Sequence, residues 1–235
     1  MEYRLLGAFK GLFEGVKYEH RRSHLGDFVA SHLFEDLLEL DRSKKLGERV
    51  RSARVAVNTA NLAVGKAARR GDGTFGEVVP GVAAVVVPNF VVPRSRIASV
   101  EIGAETKILA KAMIKQIDRV ITDLRTQVTH FRTSNPRAIC VGIVGVNWAD
   151  EYLSFEGRRR FPTDGKRYKH PSQEAADAED RLRRLAADAF DEFVLLPFKA
   201  TNKPPYPFEW KDVAELRVQY AAAIMRVSRE YDVRF

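Results

Sequence analysis

The chain reads as an α/β protein with a mixed central sheet flanked by helices, and three observations carry that reading. Short β-branched or apolar runs, such as "VAAVVV" at 82–87 and "AICVGIVGV" at 138–146, alternate with longer segments of helical period. Residues 96–127 pass from two-residue alternation to helical spacing without a break, and the apolar run at 138 follows. Strand, helix and strand in that order call for a right-handed crossover between parallel neighbours. Finally, 235 residues with 45% hydrophobic content can fill one sizeable core. No internal repeat or linker is evident, so a single domain over residues 1–235 is expected. Its core lies at about 24–147, and a basic loop and helices occupy 148–235.

The elements follow in order. Residues 24–40, "HLGDFVASHLFEDLLEL", space Phe28, Leu33, Phe34, Leu37 and Leu38 as one face of an amphipathic helix. "RVAVNTANLAVGKAA" at 54–68 is rich in β-branched and small residues and predicts a first strand, with 82–87 as the second. In the third strand, 96–108, alternation sorts Val100, Ile102, Ala104, Thr106 and Ile108 to an apolar face. Glu101, Gly103, Glu105 and Lys107 fall on a charged one. Residues 109–127 repeat Leu109, Met113, Ile117, Val120, Ile121 and Leu124 at helical spacing, and 138–146 reads as a buried strand. A loop-like basic and aromatic stretch at 151–171 precedes a helix starting at Ser172, a strand "DEFVLLPF", a proline-rich loop and a final helix at 209–231.

With 39 Lys+Arg against 31 Asp+Glu, the formal charge of +8 favours a polyanionic partner. The one cysteine, Cys140, lies in an apolar run, which excludes an internal disulfide and a cysteine metal cluster. No signal-peptide core is visible and no apolar run approaches a membrane span, so a cytoplasmic protein is expected.

The stretch "RRGDGTFGEV" spells G-x-G-x-x-G-x-V through Gly71, Gly73, Gly76 and Val78. A kinase loop would lead into a strand bearing lysine and later H-R-D and D-F-G, all of which are missing. A dinucleotide loop would open a helix, whereas Pro80 and a valine run follow. What remains is a connection between strands in which Gly71 and Gly73 supply positive φ around Asp72.

The chemistry points to Glu105 and Lys107. Two-residue spacing places both on one strand face, roughly 7 Å apart. Metal-assisted phosphodiester cleavage needs an acid to hold Mg²⁺ and a cation near the attacking water or the charge building on phosphorus. In its strand–helix–strand setting the Glu-x-Lys resembles the PD-(D/E)xK superfamily, the restriction-endonuclease-like nucleases. That resemblance implies a restriction-endonuclease-like core and a Mg²⁺-dependent DNA endonuclease of restriction or antiviral-defence type. It also implies double-stranded DNA as substrate and a homodimer. If the second and third strands turn near position 92, Glu105 lies across from Pro80-Gly81, where the family has Pro-Asp. Glu77, or else Asp72, is then the acid that replaces it, and a first-helix acid is implied at Asp27 or Glu35. Should the acid be absent, the alternative is a nuclease-fold protein that binds nucleic acid or serves as an assembly subunit. The phosphate-binding candidates are Arg69, Arg70, Lys111, Lys115, Arg158, Arg159, Arg160, Lys166, Arg167 and Lys169, interleaved with Tyr152, Phe155, Phe161 and Tyr168.

Overall fold

A computed structural model describes residues 2–19, 24–59, 71–111 and 113–235. The chain opens with α1 (Arg4–Gly11), α2 (His24–Leu40) and α3 (Lys44–Arg51), then forms β1 (Val55–Asn58), β2 (Gly73–Glu77), β3 (Arg94–Ser95) and β4 (Ile102–Leu109). Helix α4 (Met113–Ser134) leads to β5 (Ile139–Asn147), and a hairpin of β6 (Leu153–Glu156) and β7 (Arg159–Pro162) follows. The chain continues through α5 (Ala175–Leu185), β8 (Glu192–Ala200), β9 (Phe208–Trp210) and α6 (Val213–Arg234).

Seven strands form one mixed sheet in the order β3-β1-β2-β4-β5-β8-β9, and β6-β7 stands apart as a two-stranded ribbon. Strands β4, β5 and β8 are parallel to one another, while β2 pairs antiparallel with both β1 and β4. The expected strand–helix–strand unit is therefore present, with β4 and β5 as adjacent parallel strands.

Both faces of the sheet are covered, which is why β5 is apolar as far as Val146. Ile139, Val141 and Ile143 join a core with residues of α1, α2, α3 and α6. Cys140, Val144 and Val146 join the opposite core with α4 and α5. Strand β4 obeys the same rule, so its charged face is largely covered and only Lys107 is partly open to solvent. The Phe131 ring of α4 lies where a Cβ on Gly103 would stand, 2.4–2.7 Å away.

Several expectations are corrected. The run at 82–87 is irregular backbone joined to β3 by a single Val85–Arg94 bridge; Gly81 at φ +79° and the flanking prolines keep it out of the ladder. The first strand is confined to Val55–Asn58, and the remainder of the predicted span from residue 60 lies outside the described residues. The strand that pairs with β4 is instead β2, within the glycine stretch. Its glycines do not adopt positive φ. They permit close approach: a Cβ at Gly71 would meet Phe131 Cζ at 2.3 Å, and one at Gly76 would meet the Ser99 carbonyl oxygen at 2.0 Å. Phe28, expected on the core face of α2, is 44% exposed, and the segment at 151–171 contains a β-hairpin rather than loop alone.

Candidate active site

The register of β2 against β4 decides the site. Gly73 pairs with Ala104, and one residue further along Asp72 stands beside Glu105. The Thr106 amide donates to Asp72 Oδ2 at 2.9 Å, and the Asp72 amide donates weakly to Glu105 Oε2 at 3.4 Å. Lys107 Nζ lies 2.7 Å from Glu105 Oε1. Two carboxylates and one ammonium thus converge where β2 begins, with Glu105 buried and Lys107 partly open to solvent.

Electrostatics follow from that convergence. Burial and then the neighbouring Glu105 charge push the Asp72 carboxyl up to about 7, against the Thr106 amide and Lys107. Burial alone would lower the Lys107 ammonium, but Glu105, Asp72 and Asp123 of α4 carry it above its ordinary value. The first turn of α2 closes over the same place: a Cβ on Gly26 would fall 2.4 Å from Asp72 Oδ2, and the Asp27 charge helps raise Asp72. Asp27 is therefore a neighbour of the site.

Other candidates are placed elsewhere. Glu77 ends β2 opposite Val55, five residues beyond Asp72, and shares a crevice with Arg49 and Glu101. It is not brought to Glu105. Pro80-Gly81 is not the partner of Glu105 either, because the strand expected there does not form. Glu35, expected as a possible first-helix acid, is buried and accepts the Val91 and Val92 amides at 2.9 Å each. It anchors the loop after the valine run. Glu101 is held by Arg49 Nη2 at 2.6 Å and by the Tyr231 hydroxyl at 2.6 Å.

The basic residues divide likewise. Lys111, Lys115, Arg167 and Lys169 line a trough between the N-terminal half of α4 and the segment that includes the β6-β7 hairpin. Arg158, Arg159 and Arg160 are exposed on the hairpin, and Lys166 is exposed in the following loop. Tyr152 is fully buried in the core and presents no face to a ligand. Arg69 and Arg70 lie outside the described residues.

Two contributors had no sequence signal: Asp123, which acts on Lys107 across the helix–sheet interface, and Phe131, whose ring covers Gly71 and Gly103. Both face the site only because α4 crosses β4. Oxygen donors from Asp72 and Glu105 are the residues that could hold a hard cation. Among the described residues no cluster of three or more His, Cys, Asp or Glu side chains is poised to hold a metal. No family model matches the chain, and no curated protein or solved structure is significantly similar to it.

Proposed function

We propose that the protein is a Mg²⁺-dependent DNA endonuclease, hydrolysing phosphodiester bonds at Asp72, Glu105 and Lys107. The observation that carries this reading is the meeting of Asp72, from the start of β2, with the Glu-x-Lys of β4. The meeting supports the resemblance to PD-(D/E)xK nucleases, with Asp72, the second choice for the missing acid, rather than Glu77 in the part of the Pro-Asp carboxylate.

The donor set fits Mg²⁺, which is commonly bound through one or two carboxylates and completes its shell with water and substrate phosphate. Asp72 Oδ1 accepts no hydrogen bond among the described residues, and the mutual repulsion that raises Asp72 is relieved by a dication. When bound, Mg²⁺ supplies Lewis-acid polarisation of the phosphoryl oxygen and lowers the pKa of a bound water.

The chain's own residues do the rest. The Thr106 amide fixes Asp72, so its free oxygen is aimed by the backbone rather than by a mobile side chain. Lys107 is kept protonated by Glu105 and Asp72, so it can orient a water as donor and offset negative charge developing on phosphorus. Burial strengthens each of these interactions relative to open solvent.

Nicking of a supercoiled plasmid tests the proposal. Chelation should abolish it, added Mg²⁺ should restore it, and Lys107→Ala should slow it by at least about 100-fold. Cleavage that survives both treatments would remove the assignment. A binding-only protein drew its support from the acid missing at Gly81. Asp72 answers that need, so the cleaving reading stands first.

A further inference from the structure

Beside the carboxylate site lies a trough that the hydrolytic reading leaves unused. It has two compartments of about 600 and 630 Å³, which share Lys111, Gln116 and Arg119 as a common wall. Ile108, the residue after Lys107 in β4, lines the first compartment, with its side chain on the opposite face of the strand from Lys107.

Its charge is one-sided. Among the described residues Lys111, Lys115, Arg119, Arg167 and Lys169 have no ion-pair partner, and Glu156 is the single acid on the walls. Elsewhere on the molecule basic side chains are commonly paired, as Arg181 is with Asp118 and Arg226 with Glu192. Burial lowers the Lys111 ammonium against the opposing Glu156 charge, and a bound anion would relieve the remaining penalty.

The walls also carry ring faces. Phe161 lies 5.6 Å from Lys111 Nζ, and Tyr168, 49% exposed, sits beneath Arg167 at 5.4 Å. Ring faces recognise bases only when the bases are unstacked, whereas a duplex offers edges and backbone. Each compartment is of a size that takes a small ligand or a single nucleotide.

We propose that this trough holds an unpaired polynucleotide strand, with phosphates on Lys111, Arg119 and Arg167 and bases against Phe161 and Tyr168. The strand leads to the phosphodiester at Asp72, Glu105 and Lys107. That last placement rests on the nuclease reading; strand binding in the trough does not.

Fluorescence anisotropy with a short oligothymidylate, the matching oligouridylate and a duplex of the same length tests it, in the full chain with chelator present. At least one single strand should bind about tenfold more tightly than the duplex, and the two single-stranded arms identify which sugar is accepted. Tyr168→Ala, at an exposed ring, should weaken single-strand binding about fivefold or more and leave duplex binding unchanged. Phe161→Leu should act in the same direction. Equal or tighter duplex binding, no binding of either single strand, or a Tyr168→Ala protein that binds like wild type would each overturn the inference. Single-strand binding as stated, without Mg²⁺-dependent cleavage, would sustain it while removing the nuclease reading. Duplex cleavage without single-strand preference would do the reverse.

Discussion

At the scale of single residues, Asp72 carries the most testable chemistry. Its folded-state pKa of about 7 lies above the ordinary aspartate value of about 3.9, so folding takes up a proton between those limits. The Asp72 contribution to stability is therefore fully present at low pH and is lost as pH rises through about 4 to 7. Asp72→Asn removes the buried charge while its side-chain oxygen can still accept the Thr106 amide. The variant should melt higher than wild type at pH 7.5, by at least about 1 kcal/mol or about 2–4 °C, with the gain shrinking toward pH 4. Plasmid nicking should be lost in the same protein. A thermal melt series across pH reads the first effect, and a flat difference would show that Asp72 is charged without cost. Lys107 completes the pair: removing it leaves Glu105 buried and unpaired, so Lys107→Ala loses stability where Asp72→Asn gains it.

At the scale of elements, buried carboxylates tie the helices of one face together. Asp36 of α2 is fully buried and accepts the Arg4 and Leu5 amides at the start of α1, together with the Tyr220 hydroxyl of α6 at 2.7 Å. It caps one helix while bracing another, and burial raises its carboxyl to about 6 despite those donors. Asp36→Ala orphans two amides and a phenol and should cost about 2–4 kcal/mol, or about 4–16 °C in Tm. Tyr220→Phe removes one hydrogen bond and should cost about 1–2 kcal/mol. Calorimetry that ranked them in the opposite order would refute the capping account. Arg49 and Tyr231 link α3 and α6 to Glu101, the residue just before β4, by the same logic. The glycines of β2 act at this scale too, since close approach of Ala30 to Gly73 and of the Ser99 carbonyl to Gly76 seats β2 against its neighbours.

At the scale of the whole molecule, the formal charge of +8 is distributed unevenly. Five cations with no ion-pair partner among the described residues line the trough, while residues 78–93 contain no charged side chain and expose Val85, Val86 and Val91 at the far edge of the sheet. If the five trough cations each neutralise one phosphate of a single strand, log K should fall with log salt at a slope of about −3.5. Replacing Lys111 and Arg167 by Gln should flatten it by about 1.4. A slope near zero would mean that the charge serves solubility alone.

The sequence by itself determined the class of the molecule, the β4–α4–β5 succession and the placement of Glu105 with Lys107. Each depends on backbone periods of 2 and 3.6, which are local properties of a few consecutive residues. It did not determine which acid meets Glu105, because the register between β2 and β4 spans intervening residues with no local rule. A valine run with strong strand propensity remained outside the ladder, and a short glycine stretch entered it. Likewise Glu35 and Glu101 carry polar sequence signals but are buried by partners 56 and 52 residues away. Tertiary structure settled those points, since steric fit at Gly71 and Gly76 and the satisfaction of buried carboxylates are non-local.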